Sequence, residues 1–123
     1  DDYTSQHEGN EDLAPFIEGL KSAKAQLQEA TQWLMQNGMS NFNNAGASSN
    51  DYLHLFGLTA LAYMWAQMAE VAMEKSGSGD PYYDTKVKTG RYFMDRILPD
   101  TAAHLAKVKS GADTMMALDA EDF

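Results

Sequence analysis

Apolar residues return at three- and four-residue steps along most of this chain, the spacing that builds one face of an α-helix. Leu13, Phe16, Ile17, Leu20, Leu27, Leu34 and Met35 share such a face and predict a helix over residues 11–37. Asn10 ahead of Glu11 and Asp12 supplies its start, and Pro15 fits only within the first turn. Asn37-Gly38 supplies its stop. Residues 39–49, rich in Asn, Ser, Gly and Ala, predict a loop, and Ser49 or Asn50 caps a second helix over residues 50–75.

That second helix is unusual. At about 100° per residue, Thr59, Gln67, Glu70 and Glu74 fall on one narrow stripe. Leu53, Leu55, Leu58, Leu61, Met64, Trp65, Met68, Ala69, Val71 and Ala72 cover most of the rest. This apolar arc is about twice the roughly 100° of an ordinary surface helix, so the helix must meet more than one neighbour.

Ser76 to Gly79 form a turn, after which Asp80 caps and Pro81 takes the first position of a third helix, residues 81–98. Tyr83, Val87, Gly90, Met94, Ile97 and Leu98 form its inner side. Asp84 with Lys88 and Arg91 with Asp95 form outer i,i+4 pairs. Pro99 ends or kinks it, a weaker fourth helix covers 100–110, and a short tail turn occupies 113–118. Residues 1–10 are polar and without periodicity, and are expected to be a linker or disordered arm ahead of one helical bundle domain, 11–123. The expected fold is all-α: an antiparallel up-and-down four-helix bundle, or three long helices with a kinked third.

Composition narrows function mainly by exclusion. One domain is the natural size for 123 residues. With 9 basic against 18 acidic residues and a net charge of −9, nucleic acid and anionic membrane are not expected partners. There is no cysteine, hence no disulfide or thiolate chemistry. No secretory leader pattern is present, and the uncharged stretch Tyr52 to Ala69 carries His54, Gly57, Thr59 and Gln67, so it reads as a buried helix of a cytoplasmic protein.

No motif for catalysis survives inspection. Glu-x-x-His, Gly-x-Ser-x-Gly, Gly-x-Gly-x-x-Gly and P-loop patterns are all missing from the sequence. Asp100 with His104 and Glu70 with Glu74 read as surface pairs, and His54 as a satisfied histidine near a helix end. No catalytic, cofactor-binding or metal-binding residue is assigned. Four interface candidates stand out. Trp33 projects opposite the apolar face of its helix, Phe56 and Tyr63 fall on the polar stripe, and Lys86 sits beside an apolar arc where it can snorkel or meet a partner's carboxylate. These features fit a structural or protein-interaction module, including a stand-alone adaptor, and more weakly a ligand-binding bundle beside His54, Trp65 and Met68.

An ordered series of segments goes further. Trp33-Leu34, a polar loop, Tyr52-Leu-His-Leu-Phe-Gly-Leu, the Met-Trp-rich helix, Tyr82-Tyr-Asp-Thr-Lys, Arg91-Tyr-Phe, Ile97-Leu-Pro and Gly111-Ala-Asp-Thr-Met-Met-Ala-Leu resemble the C-terminal helical extension of long FAD-dependent acyl-CoA dehydrogenases. The resemblance covers about residues 11–123. It implies a parent enzyme that oxidises an acyl-CoA between its α and β carbons, with a carboxylate base and FAD as hydride acceptor. It also implies that base and flavin lie upstream, that this chain is inactive alone, and that its partners are upstream domains or a neighbouring subunit of a homo-oligomer.

Overall fold

The computed structural model describes residues 2–123. Among them the regular elements are all helical: α1 (Asp2–Gln6), α2 (Ala14–Asn37), α3 (Phe42–Glu74), α4 (Pro81–Tyr92), a π-helical turn (Phe93–Ile97), α5 (Asp100–Ser110) and a final 3-10 turn (Ala120–Asp122). The chain is therefore an all-α bundle, as its periodicity predicts.

α3 is the spine, and α2, α4 and α5 all pack on it. Near its start, Ser48 Oγ donates to Val108 O of α5 at 2.8 Å. In its middle the Trp65 and Phe93 rings stack at 6.1 Å. Just beyond its end, Ser76 Oγ donates to Asp84 at 2.8 Å. The contacts run in reverse order along the two segments, so α4, the π turn and α5 together lie antiparallel to α3. Leu98 and Pro99 keep helical backbone angles between α4 and α5, which makes these elements one arm kinked at Pro99.

The predicted loop at 39–49 is mostly helix. Asn41 Oδ1 accepts from Asn43 N at 3.0 Å and caps α3 there, leaving a connection of Gly38 to Asn41. Asn- and Ser-rich sequence is weak helix former, but here its polar groups serve tertiary contacts. Asn44 Oδ1 accepts from Ala112 N at 2.9 Å, and Ser48 reaches α5 as above. Packing overrides propensity.

Residues 2–6, expected within a linker or disordered arm, are a helical turn with Thr4 buried. Asn10 does act as a start signal, accepting from Asp12 N at 3.1 Å and Leu13 N at 3.3 Å. It caps a tight turn, and Pro15 falls in the first turn of the helix proper.

The core has two lobes. The larger joins Phe16, Ile17, Leu20, Ala62, Ala66, Phe93, Met94 and Leu98; the smaller is built on Ala30, Leu55 and Val108. The π turn changes which residues enter. Leu98 N bonds to Phe93 O, five residues back, at 2.9 Å, so the helix gains a residue per turn locally. Phe93 rotates inward and Ile97, expected inside, is left partly exposed. The expected pairs Asp84–Lys88 and Arg91–Asp95 are not among the ion pairs of the described residues. Asp84 accepts from Ser76 instead, and the π turn begins between Arg91 and Asp95 and includes Asp95.

Candidate docking surface

α3 buries mostly small residues and leaves several large ones exposed. Its innermost positions are Ser48, Leu55, Thr59, Ala62, Ala66, Ala69 and Ala72, spaced by helical steps along one face. Small side chains there let α2 and the α4–α5 arm approach closely. Thr59, expected on the outer polar stripe, is buried; its Oγ1 donates to Leu55 O at 2.8 Å, so the hydroxyl is satisfied inside its own helix. Leu53, Phe56, Leu61, Met64 and Val71 are each half or more exposed. The wide apolar arc therefore divides into an Ala-rich inner face and a bulky outer one.

Two of the concavities on that outer surface are chiefly apolar clefts between neighbouring helices. The larger, about 800 Å³, runs between α2 and α3 at their hairpin. Its walls include Leu34, Met35, Met39, Phe42, Leu53 and Phe56, with Thr31, Ser49 and Tyr52 as its hydroxyl groups and no charged side chain. Phe42 is 80 % and Met39 76 % exposed, so the groove presents large apolar side chains to solvent, the mark of an interaction surface. Tyr52 and Thr31 share a hydroxyl–hydroxyl bond of 2.7 Å that fixes the groove floor. The second, about 360 Å³, lies between α3 and α4 and is lined by Met64, Met68, Val71, Tyr82, Tyr83 and Lys86 among others.

The four interface candidates separate by geometry. Phe56 lines the large groove and is exposed. Tyr63 is 39 % exposed and meets Tyr3 edge-on at 5.2 Å. Lys86 sets its Nζ over the Trp65 ring, 5.0 Å from the centroid, beside the second cleft. Trp33 is seated within the chain itself: it packs on Ala30, Leu55 and Val108, with Gly111 beside its ring. The face of α2 that carries Trp33 is covered by α5, a second neighbour that periodicity within α2 does not reveal.

The titratable groups are structural ties. His54 is exposed, not tucked into the apolar side; its Nδ1 donates to Asn50 O at 2.8 Å and its ring stacks on His104 at 5.3 Å. His104 Nδ1 pairs with Asp51 at 2.9 Å across α5 and α3. Glu70 joins His7 and Tyr3, at 2.8 and 2.9 Å. No group of three or more metal-ligating residues is found among the described residues. No helix among them is long and apolar enough to cross a membrane. Gln26, on a smaller pocket beside the kink, keeps a buried side-chain oxygen without a partner. Sequence reasoning had no signal for the Met39 and Phe42 end of the groove, because that segment reads as loop.

The family model described as "Acetyl-CoA dehydrogenase C-terminal like" matches residues 2–119. Among curated proteins, none matches the chain.

Proposed function

The chain belongs to the acetyl-CoA dehydrogenase C-terminal-like family, and we propose that it is the C-terminal structural and docking domain of an acyl-CoA dehydrogenase. In that reading the parent enzyme oxidises an acyl-CoA thioester between its α and β carbons with FAD as hydride acceptor. This chain contributes no reacting group. Its work is to pack against the upstream domains or a neighbouring subunit of a homo-oligomer.

One observation carries the reading: the uncharged apolar groove at the α2–α3 hairpin, with Met39, Phe42, Leu53 and Phe56 exposed on it. Contiguous exposed apolar surface of this kind marks a site where another protein surface docks. The groove also argues where the flavin is not. A dinucleotide's diphosphate needs cations or clustered N–H donors, and the groove offers apolar side chains and a few hydroxyls. The groove does not fit the diphosphate of FAD, which supports a reading in which flavin and base belong to other domains of the parent.

The test is deletion of residues 11–123 from the gene product that carries this segment, followed by sizing, flavin content and dehydrogenase assay. Loss of assembly, of bound flavin or of soluble expression is the expected result. Full activity with an unchanged oligomeric state defeats the proposal. A stand-alone adaptor is separated from it by the residues encoded ahead of Asp1, since only the dehydrogenase reading requires a flavin-binding domain there.

A further inference from the structure

Both ring nitrogens of His7 face acceptors. Nε2 lies 2.8 Å from Glu70 Oε1, and Nδ1 lies 2.8 Å from Tyr3 O. A neutral imidazole has one N–H and one lone pair, so it satisfies one acceptor and sets its lone pair against the other. The imidazolium satisfies both. The second oxygen of Glu70 accepts from the Tyr3 hydroxyl at 2.9 Å. A single carboxylate of α3 thus grips two residues one helical turn apart in the N-terminal segment. Tyr3 lies over His7, with centroids 4.3 Å apart, and edge-on to Tyr63. α1 has five residues, far fewer than a helix needs to stand alone. Its order depends on this clasp, on burial of Thr4 and on the Lys21–Glu8 pair at 2.7 Å.

We propose that residues 2–8 are a proton-held strap, closed on α2 and α3 while His7 is an imidazolium and released when that proton leaves. Beneath the strap is a pocket of about 270 Å³ walled by Tyr3, Leu20, Leu27, Phe56, Thr59 and Tyr63 among others. Phe56 is common to this pocket and to the hairpin groove, so release lengthens the exposed apolar face at its edge.

His7 meets Glu70 of α3 and Tyr3 of its own segment directly. One contact further out stand Tyr63 of α3 against Tyr3, Lys21 of α2 paired with Glu8, and Lys24 of α2 on the pocket that Tyr3 lines. Their balance favours the proton. The hydrogen bond to the Tyr3 carbonyl, then that to Glu70, holds the His7 pKa above its ordinary 6.5. The His7 contact draws the Glu70 carboxyl below its ordinary 4.5. A raised histidine stabilises the strap fully below 6.5, and that contribution is lost as pH climbs through the raised value. A lowered carboxylate contributes above 4.5 and loses its effect as pH falls through the lowered value. The strap is tightest between these two limits.

The test is NMR on the 123-residue chain, following the His7 ring nitrogens and the Tyr3–Tyr63 ring NOE from about pH 5.5 to pH 8.5, in the wild type and in His7→Gln. Gln places its N–H donors on one nitrogen, sets an acceptor oxygen at its other end, and never carries the charge. The expected result is an NOE that disappears with the midpoint of the His7 titration in the wild type and is missing throughout in the variant, while core signals of Phe16 and Trp65 stay in place. An NOE that survives the titration, or survives in His7→Gln, overturns the proposal. So does a wild-type chain with no NOE at any pH.

Discussion

Gly90 lies so close to Phe16 that a methyl group on its Cα would stand 2.7 Å from the Phe16 ring carbon Cε1. Trp65 would be 3.0 Å away on the other side. Phe16 is fully buried, and a ring seated among α2, α3 and the π turn has little room to move. Gly90→Ala gains about 1 kcal/mol of helix propensity but overpacks the core, which costs about 1–3 kcal/mol. We expect a net loss of up to about 2 kcal/mol, read as a Tm lower by several degrees. A Tm equal to or above that of the wild type would show that the ring yields and that Gly90 is not what brings α4 to α3.

The cross-link between α3 and α5 gives a second prediction. Val108 is in the last turn of α5, where carbonyls lack partners within the helix. Ser48, fully buried, supplies one across the bundle. Ser48→Ala removes the donor and leaves Val108 O with only the long 3.4 Å bond from Gly111 N, for a cost of about 0.5–1.5 kcal/mol. Urea unfolding should show a lower midpoint with an unchanged slope. A midpoint that does not move would mean that water replaces the hydroxyl at no cost.

Glu70→Gln tests the carboxylate at the centre of the clasp. The amide can still accept from Tyr3 but offers no charge to His7. Because Glu70 titrates below its usual range, the wild type should lose strap order as pH falls through that lowered value, and the variant should lack this acid-side transition. Hydrogen exchange of residues 2–8, compared between the two chains at each pH, measures the difference. Identical profiles would remove Glu70 from the account.

How much of this was legible in the sequence depends on what kind of force fixes each part. α2 and α4 are announced by local signals, the Asn10 turn with Pro15 and the Asp80-Pro81 cap, and both helices start close to them. The start of α3 is hidden because Asn44 and Ser48 are held by Ala112 and Val108, more than fifty residues away in sequence. α1 is hidden for the same reason, since its order rests on a carboxylate at position 70. Periodicity at a fixed 3.6 residues per turn also misplaces Ile97, because the π turn resets the phase after Tyr92. At the docking surface, the stripe holds both exposed Phe56 and buried Thr59, so place on the stripe did not decide exposure. Hydropathy alone could not say that α3 would bury alanines and leave Leu53, Leu61 and Met64 outside, because close helix packing selects for size as well as polarity.

That inversion makes the last prediction the sharpest test of the docking role. Leu53 and Phe56 line the hairpin groove and are 67 % and 54 % exposed. A glutamate at either position is already in water and breaks no core contact, so Leu53→Glu with Phe56→Glu should change the stability of the chain alone by less than about 1 kcal/mol. In the parent protein the same pair would bury two uncompensated charges against an apolar partner, which costs several kcal/mol. We expect the parent to lose assembly or flavin while the 123-residue chain melts almost as before. Ala66→Glu supplies the opposite control: Ala66 is fully buried beside Ala62 in the larger core lobe, and its replacement should unfold the chain itself. If the double variant leaves the parent's size, flavin content and activity intact, the groove is not the docking surface, whatever else the domain does.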